Sequence, residues 1–119
     1  TMAIPAASME VSAVESGAAV IAIIGDVTSA CEEQLMLAHE SATDAGATRL
    51  VLDFARMEYM NSGGIGMLVT LLVRAQRRQQ RIAAIGLTEH YRQIFQLTRL
   101  DEAISLHDDL TSALRALVP

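Results

Sequence analysis

The hydrophobic pattern at the beginning of the chain predicts a β-hairpin. Apolar and polar residues alternate from Met9 to Ala13, which is the period of a half-buried strand. The turn-forming segment Glu15–Gly17 leads into an uninterrupted apolar run from Ala18 to Ile24, which is typical of a strand inside a sheet. Residues 1–8 are mostly small and include a proline, so we expect a flexible N-terminal segment followed by one domain over residues 9–119.

The rest of the chain alternates between helical and strand-like patterns. Ser29 and Glu32 have the spacing of a capping box, which predicts a helix from about Ala30, and Gly46 is placed to end that helix. The predicted buried stripe of this helix is Cys31, Leu35, Ala38, Ala42 and Ala45. Further elements are predicted as a strand at 48–54, a helix at 63–80, a strand at 81–86, a helix from a Thr88 cap to Thr98, a strand at 103–107 and a helix at 108–117.

This order of elements predicts an α/β fold in a single domain. Strands joined through helices pair in parallel, with right-handed connections, and the helices cover the sheet. The hairpin adds an antiparallel pair at one side. We therefore expect a mixed, mainly parallel sheet of about five strands with helices packed on it.

The segment from Arg49 to Arg74 carries the candidate chemistry. An apolar strand ends at Phe54, and Asn61 and Ser62, both favoured helix caps, precede two glycines and an apolar helical run from Ile65 to Val73. The first N–H groups of such a helix have no partner within it, and the helix dipole is positive there. A phosphate group on Ser62 would therefore be well tolerated.

The helix that follows Ser62 has apolar residues on more than one side. At about 100° per residue, one side is formed by Ile65, Leu68, Val69, Leu72 and Ala75, which we expect to face the sheet. Met67 and Leu71 fall on the opposite side, next to Arg74 and Arg78, and are predicted to be exposed. Such a pair is either ordinary surface or, together with Ser62 and Arg74, a docking surface for a protein partner.

Composition and charge exclude several classes of protein. Hydrophobic residues make up 51% of the chain and aromatic residues 3%, so the core is aliphatic. A net charge of -5 leaves no basic excess for neutralising nucleic-acid phosphates. The longest nearly apolar run, Gly63–Val73, is too short to span a bilayer. Because Cys31 is the only cysteine and no signal peptide precedes the domain, we expect a cytoplasmic protein.

The sequence does not predict an enzyme. A nucleophilic Ser62 would need His90 or His107 as its base, but the G-x-S-x-G elbow is absent and nothing orients either histidine toward the serine. The glycines that follow Ser62 lack the lysine of a phosphate-binding loop. No metal-ligand spacing occurs, so we expect no cofactor. Asp53, at a strand end, is predicted to accept backbone N–H bonds from the next loop.

Three segments of the chain form a recognisable combination. The first is Gly25-Asp26-Val27 at a strand end, and the last is the Phe95–Asp101 run before the final strand. The most specific is the middle one, in which Val51-Leu52-Asp53-Phe54 is followed by Met60-Asn61-Ser62-Gly63-Gly64-Ile65-Gly66. Together these segments resemble the STAS domain, a family named for sulfate transporters and anti-sigma factor antagonists. The resemblance covers nearly the whole chain.

The resemblance implies a bacterial, non-enzymatic regulator of transcription. Similar proteins bind an anti-sigma factor that is also a serine kinase, and phosphorylation of the serine at the helix start abolishes the binding. By motif position that serine is Ser62. The predicted partner-binding residues are Asn61, Gly63 and Gly64 at the helix start and Met67, Leu71 and Arg74 on the helix side described above. The predicted neighbours of the phosphorylation site are Asp26, Thr28 and Asp53.

Two positions depart from the family pattern. Asn61 and Thr28 stand where the family commonly has Asp, so the two acidic neighbours that the family pattern implies at these positions are replaced by neutral residues. The alternative function is a STAS-like regulatory subunit on the cytoplasmic face of a lipid-transport ATPase, in which Ser62 need not be phosphorylated. The sequence does not decide the oligomeric state and leaves a homodimer open.

Overall fold

The computed structural model describes residues 7–118, which form an α/β domain. Its strands are β1 (Ala7–Glu15), β2 (Ala18–Val27), β3 (Arg49–Asp53), β4 (Met57–Met60), β5 (Arg81–Ile85) and β6 (Ile104–His107). Its helices are α1 (Glu32–Asp44), α2 (Ser62–Arg77), α3 (Glu89–Leu97) and α4 (Leu110–Ala116). Short 3₁₀ turns precede α1 at Ser29–Cys31 and β6 at Leu100–Glu102.

The strands form one mixed sheet. Its order is β1-β2-β3-β5-β6, and β4 pairs with the part of β2 that extends beyond β3. β1 is antiparallel to β2, and every other pair is parallel. The predicted fold class is therefore confirmed, with six strands instead of about five.

The additional strand, β4, arises because β2 is twice as long as β3. β2 has 10 residues and β3 has 5, so the last residues of β2 would lack a partner on that side. The chain leaves β3 at Asp53, and the Gly25 N–H then donates to the Arg56 carbonyl at 3.0 Å. Met57–Met60 continues the pairing up to Val27. The strand predicted at 48–54 is thus followed by a further strand that the sequence pattern did not predict.

Several predicted boundaries are confirmed and others shift. Thr88 caps α3, and Gly46 follows α1 with a φ of 94°. Thr28, and not Ser29, caps the 3₁₀ turn that precedes α1, because the Thr28 hydroxyl accepts the Ala30 N–H at 3.2 Å. Helix α1 itself begins at Glu32 without a side-chain cap. Of the predicted α1 stripe, all but Ala45 are buried.

The predicted N-terminal segment at residues 1–8 falls largely on residues 1–6, which lie outside the described residues. Its last two residues, Ala7 and Ser8, belong to β1. For these two residues the prediction of a flexible segment is wrong. Their place in the strand follows from pairing with Gly25 and Ile24 of β2.

The core lies on both faces of the sheet. On one face, Leu50 and Leu52 pack into a large cluster with residues of α1, α2 and α3, in which Phe54 and Phe95 meet edge to face with ring centroids 5.9 Å apart. On the other face, Val51 packs with α4 through residues such as Ala113. The larger cluster fixes the position of α2 and therefore of Ser62.

Candidate functional site

Ser62 is the first residue of α2 and is exposed. Its neighbour Asn61 is the N-cap: its backbone is extended and its side-chain Oδ1 accepts the Gly64 N–H at 3.1 Å. The cap is thus provided by Asn61, and the Ser62 hydroxyl has no hydrogen bond to any other residue of the 7–118 segment. The first turn of α2 contains no acidic residue, so the positive end of the helix dipole is not neutralised locally.

The segment that leads into α2 is anchored to the end of β2 and to helix α3. The Asn61 N–H donates to the Val27 carbonyl at 3.2 Å, which extends the β2–β4 pairing by one residue. The Met60 N–H donates to the Tyr91 hydroxyl of α3 at 3.0 Å. These bonds fix the backbone on the N-terminal side of Ser62 without using the serine side chain.

Two glycines allow α2 to approach the end of β2 closely. A Cβ at position 64 would lie 2.6 Å from the Val27 carbonyl oxygen, and one at position 63 would lie 3.0 Å from the Ser29 nitrogen. Gly64 is buried and Gly63 is half-buried. Gly63 and Gly64 therefore position the helix, and Gly64 contributes little surface to the partner-binding role predicted for it.

The predicted exposure of Met67 and Leu71 is wrong. Met67 is 2% exposed and Leu71 is 0% exposed. The prediction assumed that α2 packs on the sheet alone, but the helix also contacts α1 and the turn before it, and the Met67 sulfur lies 3.7 Å from that of Cys31. Neither side chain is available to a partner in this fold. Arg74 is exposed, as predicted.

The exposed surface of α2 is instead a stripe that continues from Ser62. We call Ser62, Gly66, Val69 and Val73 the outer stripe; their spacing of four, three and four residues keeps them on one side of the helix. Val69 and Val73 are 45% and 42% exposed. The prediction that Val69 faces the sheet is therefore wrong. Counting in helical steps from Ser62 itself would have identified this stripe in the sequence.

Of the residues predicted to surround Ser62, two lie at the end of β2 that is bonded to the start of α2. Asp26 is exposed and pairs with Tyr59 in β4, and Thr28 follows β2 directly. Tyr59, also exposed, is a residue of this surface that sequence reasoning missed. The alternation of exposed Tyr59 with buried Met60 is the pattern of a strand. Because β4 was not predicted, this pattern was not used.

Asp53 lies apart from this group. It pairs with Ala22, five residues before Val27, which corresponds to about 16 Å along β2. Its carboxylate accepts the Ala55 N–H at 2.9 Å, which confirms the predicted bond to the following loop. The implied role of Asp53 as a neighbour of the phosphorylation site does not fit this geometry.

The histidines have partners other than Ser62. His107 is 2.9 Å from the Ser105 hydroxyl, His39 is buried 2.6 Å from the Gln80 side chain, and the His90 ring packs against Tyr91. Across residues 7–118 we find no cluster of three or more His, Cys, Asp or Glu side chains suited to a metal ion. Over the same range, no helix has the length and apolar character needed to cross a membrane.

The geometry thus defines a class of protein: a small α/β domain whose candidate site is a binding surface around the start of one helix. A family model described as "Mlab, STAS domain" matches residues 11–116. The chain belongs to the STAS domain family.

Several similar proteins are named as anti-sigma factor antagonists. The putative anti-sigma factor antagonist BtrV of Bordetella bronchiseptica is 28% identical over 82 residues, which cover 69% of this chain and 71% of that protein. An anti-sigma factor antagonist from Mycobacterium paratuberculosis has a similar structure, with 20% identity, a TM-score of 0.78 and 98% of each chain covered. The Bacillus cell fate determinant SpoIIAA in its phosphorylated form has 18% identity and a TM-score of 0.69, with 92% of this chain and 99% of that chain covered. Anti-sigma factor antagonists are regulatory binding proteins and not enzymes.

Proposed function

We propose that this protein is an anti-sigma factor antagonist whose binding to an anti-sigma factor is controlled by phosphorylation of Ser62. The observation that carries the proposal is the exposed Ser62 hydroxyl at the first position of α2, at one end of an exposed stripe. The names of the relatives support the regulatory class. The partner is an anti-sigma factor with serine kinase activity, and both proteins act in the cytoplasm.

The outer stripe has the composition of a docking surface. Val69 and Val73 each keep a little under half of their surface exposed, and Gly66 between them and Ser62 has no atom within 4 Å of the place of a Cβ. A partner could therefore approach the backbone closely at Gly66 and cover both valines. Burial of the exposed part of each valine contributes on the order of 1 kcal/mol to association.

Phosphorylation would act on this surface and leave the fold intact. A phosphoserine adds about 1.5 to 2 negative charges at neutral pH. The first turn of α2 has no acidic residue, so the helix dipole stabilises the phosphate by about 0.3–1 kcal/mol. A partner that covers Val69 and Val73 would have to desolvate the same charge, which opposes docking.

The neutral residues at positions 28 and 61 fit this scheme. Both side-chain oxygens are used as caps, since Thr28 accepts the Ala30 N–H and Asn61 accepts the Gly64 N–H. With Asn61 in place of an aspartate, the unphosphorylated site carries one negative charge fewer. Phosphorylation therefore adds its negative charge beside an uncharged cap residue. The exposed Asp26 remains the acidic group at the end of β2.

A second candidate is a regulatory subunit that docks on a lipid-transport ATPase. One observation favours it: the matching family model is named for Mlab and not for an anti-sigma factor antagonist. The neutral residues at positions 28 and 61 are compatible with both functions. In this alternative the outer stripe still binds a protein, and Ser62 is an unphosphorylated residue of that contact surface.

The deciding experiment is affinity purification from the native host with wild-type protein and three variants. Ser62→Ala removes the phosphorylation site, Ser62→Asp adds a charge, and Ser41→Asp is the matched control, because Ser41 is an exposed serine of α1. Partners and phosphorylated residues are then identified by mass spectrometry.

The two functions predict different results. Recovery of a kinase-like anti-sigma factor on wild type, Ser62→Ala and Ser41→Asp but not on Ser62→Asp, with phosphate on Ser62 of the wild type, supports the antagonist. Recovery of a transport ATPase on all four baits, with Ser62 unmodified, refutes it and supports the alternative.

A further inference from the structure

β1 leaves one side of its backbone unpaired. It is the first strand in the order of the sheet, it has 9 residues, and within residues 7–118 no strand pairs with its outer side. An exposed edge of this length presents a row of N–H and C=O groups to any strand that can reach it. This makes the β1 edge a candidate for pairing with another chain.

The hydrogen bonds of β2 show which residues of β1 face outward. The Gly17 carbonyl accepts the Arg49 N–H on the β3 side at 3.0 Å, so the Ala18 N–H on the other side of that trans peptide points toward β1. Even-numbered residues of β2 therefore bond to β1, and their partners there are also even-numbered, such as Glu10 opposite Ala22. The odd-numbered residues Met9, Val11 and Ala13 direct their N–H and C=O groups to the open edge.

Apart from the irregularity between Ala13 and Glu15, this edge has few of the features that usually prevent pairing. β1 contains neither proline nor lysine. Its two glutamates are neutralised by arginines of the same chain: Glu10 is 2.9 Å from Arg56, and Glu15 is 3.0 Å from Arg49.

The opposite edge of the sheet is different. β6 has 4 residues, and the Arg92 side chain approaches the His107 carbonyl at 3.5 Å. Among the strands of residues 7–118, only β1 therefore combines length with a row of accessible backbone groups.

Apolar surface flanks the same edge. A groove of about 390 Å³ between β1 and α1 is lined by Ser8, Met9, Val11, Gln34, Leu37 and Ala38. Leu37 is 58% exposed, and Val11 is exposed beside it. A chain that paired with β1 would cover part of this surface, and burial of apolar area favours such an association.

We propose that the occupant of this edge is β1 of a second copy, paired antiparallel and centred on Val11. In this register Val11 is opposite Val11 of the other copy, and Met9 is opposite Ala13. All of these residues direct their N–H and C=O groups to the open edge, so each pair can exchange both hydrogen bonds. The two sheets become one continuous sheet related by a two-fold axis.

The charges of β1 are compatible with self-pairing. In the register centred on Val11, Glu10 is opposite Ser12 and Glu15 is opposite Ala7, so no two glutamates face each other directly. A register centred on Glu10 would place that residue opposite its own copy. The β1–β2 ladder is irregular between Ala13 and Glu15, and the core of the proposed pairing, Met9–Ala13, ends before this irregularity.

The proposal goes beyond the proposed function, and its interface includes no residue of the outer stripe. The first test is sedimentation equilibrium of the wild type and of Val11→Pro. Proline removes the Val11 N–H, which points outward, so the β1–β2 ladder stays intact. Val11→Thr is the matched control, because it keeps both the N–H and the β-branched shape.

We expect a dimer for the wild type and for Val11→Thr, and a dissociation constant at least about tenfold higher for Val11→Pro with unchanged circular dichroism. A monomeric wild type at every accessible concentration overturns the proposal. So does a folded Val11→Pro that dimerises as tightly as the wild type.

A second test does not depend on proline. Under oxidation, Val11→Cys should form a disulfide-linked dimer, because directly paired residues of antiparallel strands have Cα atoms about 5.5 Å apart. Ser12→Cys should not, because Ser12 is opposite Glu10 and its side chain is on the other face of the sheet. The native Cys31 is buried, so it does not compete. Equal cross-linking of both variants, or none of Val11→Cys, overturns the register.

Discussion

Substitution of Gly64 by alanine tests whether close packing on Val27 fixes the start of α2. In an ordinary helix, replacing glycine with alanine stabilises the protein by about 1 kcal/mol. At position 64 the new Cβ would lie 2.6 Å from the Val27 carbonyl oxygen and 2.9 Å from the Met60 Cγ, and distances below 3.0 Å essentially do not occur for real Cβ atoms. The carbonyl cannot move freely, because it accepts the Asn61 N–H. The helix must therefore shift away.

We expect the steric cost to exceed the gain in helix propensity. Overpacking of this kind costs about 1–3 kcal/mol, and the short contact to a bonded carbonyl argues for the upper part of that range. After subtraction of the propensity gain, Gly64→Ala should lower the free energy of unfolding by about 1–2 kcal/mol. A displaced helix start should also weaken partner binding, since Ser62 is two residues away.

Gly66→Ala is the matched control within the same helix. Gly66 is exposed, and nothing lies within 4 Å of its added Cβ, so alanine there should raise the free energy of unfolding by about 0.5–1 kcal/mol. Urea denaturation followed by far-UV circular dichroism measures both changes. If Gly64→Ala proves as stable as Gly66→Ala, the close approach of α2 to Val27 does not constrain the site, and this reasoning is refuted.

Two further predictions concern the partner surface and the last helix. Val69→Glu should leave the fold intact and weaken partner binding at least about tenfold. Met67→Glu should instead destabilise the fold by about 4 kcal/mol or more, because it buries an unpaired charge. Pull-down combined with thermal denaturation separates the two effects, and unaltered binding by a folded Val69→Glu protein would contradict the role of the outer stripe. The Ser112 N–H, which donates to the Asp109 carboxylate at 2.8 Å, lowers the pKa of Asp109. The stabilisation of α4 by this cap is therefore present above the ordinary pKa of aspartate and is lost as pH falls through the lowered pKa; an NMR titration that gives Asp109 an ordinary or raised pKa would contradict this.

The sequence predicted the layers of the fold better than the faces of its helices. Alternating strand and helix signals restrict the topology strongly, since parallel pairing and right-handed connections follow from the order of elements alone. The faces of α2 depend on how many neighbours the helix has. A helix covered by both the sheet and α1 buries Met67 and Leu71 as well as Leu68, and no local pattern reports the second neighbour. The prediction that Met67 and Leu71 are contact residues, which assumed a helix covered on one side, was therefore wrong.

β4 and Asp53 show a second limit of the same kind. Met57–Met60 is too short and too mixed to be recognised as a strand, and it pairs because β2 extends beyond β3. If β4 is not recognised, the end of β3 is expected to lie close to Ser62 in space. The pairing register instead places Asp53 beside Ala22, away from the end of β2. Ser62, by contrast, could be predicted because cap residues and glycines mark a helix start locally.

Ser62 is suited to modification because the helix is capped by its neighbour Asn61 and not by Ser62 itself. Asn61 accepts the Gly64 N–H, and its own N–H is bonded to Val27, so the helix start is held without Ser62. Asn61→Ala should therefore lower the free energy of unfolding by about 0.5–2 kcal/mol, while Ser62→Ala should change it by less than about 0.5 kcal/mol. A charge at position 62 should have the reverse effect. The Ser62→Asp protein should remain folded but lose partner binding.

The measurements are urea denaturation of the three variants beside the wild type and binding by pull-down. Asn61→Asp is the informative control, because aspartate caps as well as asparagine and adds a negative charge next to Ser62. If Ser62→Ala costs as much stability as Asn61→Ala, the serine is a structural cap, and a phosphate on it would disturb the fold together with the interface. If only Asn61→Ala is destabilising, the serine can alternate between two charge states on an unchanged helix, which is what a switch confined to the binding surface requires.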